Sequence, residues 1–109
     1  MSRYVFIESR DPFESSDTRF IAETAAALKR QGEDVTVFLV QNGVLAARAK
    51  ARGSQLPELA EARVTLLADD FSLRERGIST SELAAAVQEA NIDSLVDLIA
   101  HEDTKAIWH

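Results

Sequence analysis

The residues of this sequence that could do chemistry are carboxylates set just past apolar, β-prone runs. Glu8 and Asp11 follow Tyr4-Val5-Phe6-Ile7, and Asp69-Asp70 follow Val64-Thr65-Leu66-Leu67-Ala68. Hard oxygen ligands of this kind suit Mg²⁺, and paired carboxylates whose proton affinities are pushed apart suit acid–base work. Ser9 and Arg10 lie beside the first pair, Gln41-Asn42 stand before Gly43, and Trp108-His109 end the chain. Ligands of open parallel sheets bind beyond the carboxyl ends of the strands. The candidate pocket is therefore Ser9, Arg10, Asp11, Gln41, Asn42, Asp69, Asp70 and Trp108. Each has a plainer reading. Asp69 and Asp70 suit helix starts, and Asn42-Gly43 suits a turn that needs unusual backbone angles. Arg10 and Asp11 can pair with each other across the loop. Trp108 can be a packing anchor, and His101 can complement a helix C-terminus.

Other chemistries lack their residues. The chain has no cysteine, so it carries no thiolate nucleophile. No glycine-rich phosphate loop and no G-x-S-x-G elbow occurs. Its two histidines, His101 and His109, do not make a zinc site. No metal and no cofactor is expected. The net charge of -6 opposes nucleic acid, and the cluster Arg48, Lys50 and Arg52 reads as a solvated helix face. The apolar N-terminal run is too short for a signal core or a membrane span. A cytoplasmic location is the default.

The elements that must position these residues alternate. With 109 residues, 46% of them apolar and 28% charged, the chain is expected to be a single domain over residues 1–109. The continuous apolar run at residues 4–7 predicts a strand buried on both faces, residues 35–40 and 63–68 predict two more strands, and residues 105–108 predict a terminal one. Residues 18–30 predict a helix, capped by Ser16 or Asp17 and stopped at Gly32, with Ile21, Ala25 and Leu28 on one face and Phe20, Thr24 and Ala27 beside it. Residues 44–52 are alanine-rich and predict a second helix, and Pro57 opens a short turn through Ala62. Ser72 and Glu75 fit a capping box for a helix ending at Gly77. Ser79 and Glu82 fit another that opens a helix over residues 83–90. Asp93 caps a last helix whose Leu95, Leu98 and Ile99 face inward. Strands alternating with helices predict a three-layer α/β/α domain, flavodoxin-like, with a mostly parallel four- to five-stranded sheet.

Three segments carry a family resemblance. Val37-Phe38-Leu39-Val40-Gln41-Asn42-Gly43-Val44 resembles the second strand and following turn of DsrE-like proteins. Leu67-Ala68-Asp69-Asp70-Phe71-Ser72-Leu73-Arg74-Glu75-Arg76-Gly77-Ile78 resembles their third strand and its L-x-x-R-G-hydrophobic helix end. Residues 93–108 are similar to the closing helix and strand. The family includes the DsrE/DsrF/DsrH and TusD/TusC/TusB sulfur carriers of sulfur oxidation and tRNA thiolation. The resemblance implies subunits that assemble as dimers, trimers or mixed hexamers. It also implies, in active subunits, a persulfide-bearing cysteine after the third strand. Counted back from Arg76-Gly77, that position falls at about Asp69, and a carboxylate cannot hold sulfane sulfur.

The expected function is a DsrE-like protein related to intracellular sulfur relay. Its part would be that of a non-catalytic oligomerising or binding subunit, self-assembled as a dimer or trimer or joined to cysteine-bearing partners, without nucleic acid or membrane. Phe13, Phe71 and Trp108, in or beside loops, offer an apolar patch for such a contact. The alternative is a small-ligand or Mg/phosphate-binding domain using Asp69 and Asp70, receiver-like. A receiver's acidic pair should follow the first strand and its lysine the last, whereas here the pair follows the third strand and Lys105 precedes the last. A metal-assisted or acid–base enzyme is a third reading, with no substrate specified.

Overall fold

A computed structural model of the chain describes residues 2–109. Five strands form one parallel sheet: β1 (Arg3–Glu8), β2 (Asp34–Leu39), β3 (Thr65–Asp69), β4 (Val87–Ala90) and β5 (Thr104–Trp108), in the order β4-β3-β2-β1-β5. The helices are α1 (Asp17–Arg30), α2 (Leu56–Glu61), α3 (Asp70–Glu75) and α4 (Ile92–Ile99), with 3-10 turns at Gln41–Ala47 and Thr80–Glu82. The architecture is the expected α/β one with an all-parallel sheet.

The apolar runs behave as their composition dictates. From Val5 to Glu8 and from Val35 to Leu39 every residue is buried, as strands covered on both faces require. One core lies between the sheet and α1, α2, α3 and the first 3-10 turn, with Phe6, Val37, Leu39, Leu66 and Leu73 among its members. On the other face Val5, Ile7, Phe38 and Val40 pack against Leu95, with Leu98 beside them, so α4 is the helix of that side. The connections therefore change face between β1 and β5, the topological switch point at which such sheets open a crevice.

Several local expectations are corrected. The segment 83–90 is not a helix. The Ser79–Glu82 capping box forms, but it opens a single 3-10 turn, and Val87–Ala90 then pairs with β3 as β4. Hydrogen bonding along the open edge of β3 outweighs the helix preference of an alanine run, which is a weak prior. The segment 44–52 is helical only as the 3-10 turn Gln41–Ala47; after it Arg48 bridges to Leu83, and Lys50 and Arg52 lie exposed on a loop rather than on a helix face. In α1 the buried row is Thr18, Ala22, Ala25 and Ala26, and Phe20 is 68% exposed. Ser16 holds the N-cap position without a side-chain bond. Asn91, not Asp93, caps α4, accepting from the Ser94 N–H at 2.9 Å. Ile99 faces outward, and His101 lies exposed beyond the helix end.

Glu82 illustrates how these turns are held. Its carboxylate accepts from the Ser79 N–H and hydroxyl at 2.9 and 3.0 Å. Those two bonds, then the nearby charges of Arg48 and Lys50, hold its pKa below its ordinary value of 4.5. A depressed carboxylate pKa stabilises the fold above the unfolded value, and that contribution disappears as pH falls through the folded value. Glu82→Gln should thus unfold at lower urea than wild type at neutral pH, and the two midpoints should converge as pH drops below about 4.5.

Candidate functional site

The carboxyl ends of β1, β2, β3 and β5 carry the polar residues singled out in the sequence. They gather into two hydrogen-bonded groups rather than one pocket.

The first group sits at the switch point. Glu8 ends β1 and is 6% exposed. Its carboxylate meets His109 Nδ1 at 2.8 and 3.0 Å and accepts from the Arg10 N–H at 3.2 Å. The His109 carbonyl accepts from the Ser9 N–H at 2.8 Å and the Ser9 hydroxyl at 2.9 Å, and the His109 N–H donates to Ile7 O. Continuing the β5–β1 ladder by one residue thus seats an imidazole on a buried carboxylate. Asp11 is buried and caps the following turn through the Phe13 N–H at 2.9 Å. It does not pair with Arg10, whose guanidinium reaches Asp17 at 3.9 Å on the surface.

The second group joins β2 to β3. Gln41 takes φ +50, and its N–H donates to the Ser72 hydroxyl at 2.8 Å. That hydroxyl donates to Asp69 Oδ2 at 2.7 Å, and the same oxygen accepts the Ser72 N–H at 3.0 Å. Asp69 is therefore the N-cap of α3, and Ser72 is the capped residue rather than the cap. The unusual angle of this turn falls on Gln41 rather than on Asn42 or Gly43. Asn42 Oδ1 accepts both Nε and Nη2 of Arg76, at 3.0 and 2.9 Å. Gly77, with φ +67, then closes α3: its N–H bonds Arg74 O, and the Ile78 N–H bonds Leu73 O. This paired bonding past the helix end needs a left-handed residue at the glycine position and buries the apolar residue that follows. The R-G-hydrophobic signature is thus a helix stop that aims an arginine at the β2 turn.

Gly43 serves contact rather than angle. A Cβ on it would run into the Glu8 carbonyl oxygen, and the carbonyl carbon lies 3.0 Å away. A cavity of roughly 30 Å³ opens nearby, lined among others by Glu8, Thr18, Gln55 and Leu56. It has room for about one water.

The acidic residues do not converge. Among the described residues no three His, Asp or Glu side chains are placed to hold a metal ion. Asp70 turns to Arg74 at 3.5 Å. Lys105 lies over the Tyr4 ring, 5.5 Å from its centre, at the opposite end of the sheet from Asp69. These placements give the receiver-like reading no support. Trp108 is 63% exposed on the edge strand β5 and anchors no core. His109, Ser72 and Arg76 carry most of the site's bonds and were absent from the sequence-derived pocket. Ser72 already stood three residues after Asp69, the spacing of an N-cap and the N–H it binds.

Comparison with known proteins bears on the whole chain. The chain is similar to solved structures of the YchN protein from E. coli (23% identity, all of both chains covered, TM-score 0.86), MTH1491 from Methanobacterium thermoautotrophicum (21%, all of both chains, 0.82) and BT1422 from Bacteroides thetaiotaomicron (15%, 99% of this chain and 95% of that one, 0.75). No curated protein matches the sequence. The profile of the DsrE/DsrF-like family, however, matches residues 2–105, and with that span it is to the DsrE/DsrF-like family that this chain belongs.

Proposed function

We propose that this protein is a non-catalytic, assembling member of its sulfur-relay-related family. One observation carries the reading. Counted back from Arg76-Gly77, the resemblance puts the sulfur-bearing cysteine at about Asp69, and the carboxylate found there is buried and bonded to Ser72. With no thiol in the chain, sulfane sulfur has no nucleophile to accept it. What the surface offers instead is exposed apolar area: Phe13, Phe71 and Trp108 are 47%, 57% and 63% exposed. Exposed aromatics of this kind are the residues that contacts between proteins favour. The partner is a second copy or a cysteine-bearing relative. No helix among the described residues is long and apolar enough to cross a membrane, and a cytoplasmic place fits the relay reading.

Two measurements test this. Exposure to a persulfide donor, followed by intact mass, should give no gain of a sulfur atom; a stable gain would mean an acceptor other than a thiol. Light scattering at micromolar concentration should give a multiple of 12.0 kDa, most simply a dimer or trimer. A mass of one chain throughout would remove self-assembly and leave only a mixed complex.

A further inference from the structure

Helix α4 is apolar on two sides. Its inner side puts Leu95 and Leu98 on the sheet. On its outer side Ile92, Val96 and Ile99 are 55%, 53% and 40% exposed, at the i, i+4, i+7 spacing that makes one stripe. Asp93 and Asp97, each one position further along, edge that stripe, and the helix holds no basic residue. A helix apolar on both sides is normally covered on both sides.

The fold also leaves positive charge without a partner. Phe13, Arg48, Lys50, Ala51 and Arg52 line an open groove on the side of the sheet away from α4. Glu82 stands near Arg48 and Lys50 and offsets part of their charge; Arg52 keeps the groove basic. Among the described residues Lys50, Arg52, Asp93 and Asp97 enter no ion pair. One surface is thus an acidic-edged apolar helix and the other a basic groove lined in part by an aromatic ring. Helices bind grooves through such i, i+4, i+7 anchors, and opposite charge sets which surfaces meet.

Resting on the self-assembly reading above, we infer that α4 of one copy docks in the Phe13–Lys50–Arg52 groove of a second copy. Packing α4 against its own equivalent would instead bring Asp93 and Asp97 of two chains together, with like-charge repulsion in a protein of net charge -6. The two surfaces lie on opposite faces of the sheet, so the contact is head-to-tail. Each docking leaves a further groove and a further helix open, and growth stops when a ring closes.

The absence of cysteine makes the test clean. Phe13→Cys and Val96→Cys, both at exposed positions, are prepared separately, mixed and oxidised. The expected product is a disulfide-linked pair of one chain of each kind, formed faster than either variant links to itself. In parallel, Lys50→Glu/Arg52→Glu and Asp93→Lys/Asp97→Lys should each fall to 12.0 kDa by light scattering, and their mixture should associate again, in rings that alternate the two kinds. Self-linking of Val96→Cys alone, or a wild-type oligomer with no mixed product, would overturn the docking while leaving self-assembly intact. A wild type of single-chain mass would remove both.

Discussion

Gly43→Ala should lower stability by about 2–4 kcal/mol, the cost of forcing an extra carbon into a packed place. In a domain of this size that is a fall in melting temperature of roughly 10–20 °C. The new methyl meets backbone, not a side chain that can swing away. The Glu8 carbonyl oxygen it would strike already accepts the Val40 N–H at 3.0 Å, and the Gly43 N–H donates to Val40 O at 2.9 Å. Either β1 or the 3-10 turn must shift, and both carry the site. Glu8 holds His109, and the turn presents Gln41 to Ser72. A control separates space from backbone angle. At Gly77 a Cβ would meet nothing within 4 Å, but φ is +67, so Gly77→Ala pays only the left-handed penalty of about 1–2 kcal/mol. Thermal melts of the two variants against wild type should rank Gly43→Ala well below Gly77→Ala. Gly43 has no left-handed angle to lose, so a melt of Gly43→Ala unchanged from wild type would mean that the close approach contributes nothing.

The difference between those two glycines marks what the sequence can disclose. Gly77 sits in a local pattern, where an arginine, a glycine and an isoleucine after a short amphipathic run spell a helix stop. Gly43 answers to Glu8, far away along the chain, and its neighbours Asn42 and Val44 hint at a turn but not at the strand it touches. The same division runs through the fold. The strands at β1, β2, β3 and β5 are legible because their own residues are apolar and β-prone. β4 is not, because of its residues only Val87 is buried, while Gln88 and Glu89 face solvent. Its strand state comes from the edge of β3 that it joins, and β-preference is largely a matter of such context.

The candidate site divides in the same way. Asp69 as a helix start and Asp11 as a turn former follow from local residue chemistry. The Glu8–His109 contact and the Asn42–Arg76 fork join residues far apart in sequence. Strand pairing and helix docking bring them together, and neither shows as a spacing. The pocket expected from loop composition scatters for a related reason. A loop residue's place beyond a strand end says nothing of where its side chain turns. Asp70 turns to its own helix and Trp108 to solvent.

Asp69→Ala should cost about 2–3 kcal/mol: about 1–2 for the lost N-cap and the remainder for the Ser72 hydroxyl, a buried donor left without its acceptor. Asp69→Asn keeps an oxygen for the Ser72 N–H and should cost about 0.5–1.5 kcal/mol. Urea unfolding of the pair measures both, and a cost for alanine no larger than for asparagine would mean that the cap does not bear on stability. The informative variant is Asp69→Cys. It places a thiol where two donors, the Ser72 N–H and hydroxyl, now converge on one carboxylate oxygen within hydrogen-bond distance. Donors aimed at an anion favour the thiolate, as does the start of a helix. The thiol of that variant, alone in the chain, should alkylate with an apparent pKa well below the ~8.5 of free cysteine. Burial works the other way, since a thiol in apolar surroundings is pushed up. The outcome therefore reads the balance of the two at this position. A depressed value would show that the strand end and helix start here stabilise an anion, around a residue that cannot carry sulfur. A value at or above that of free cysteine would show that only the fold has been kept, and that Asp69 is a cap and nothing more.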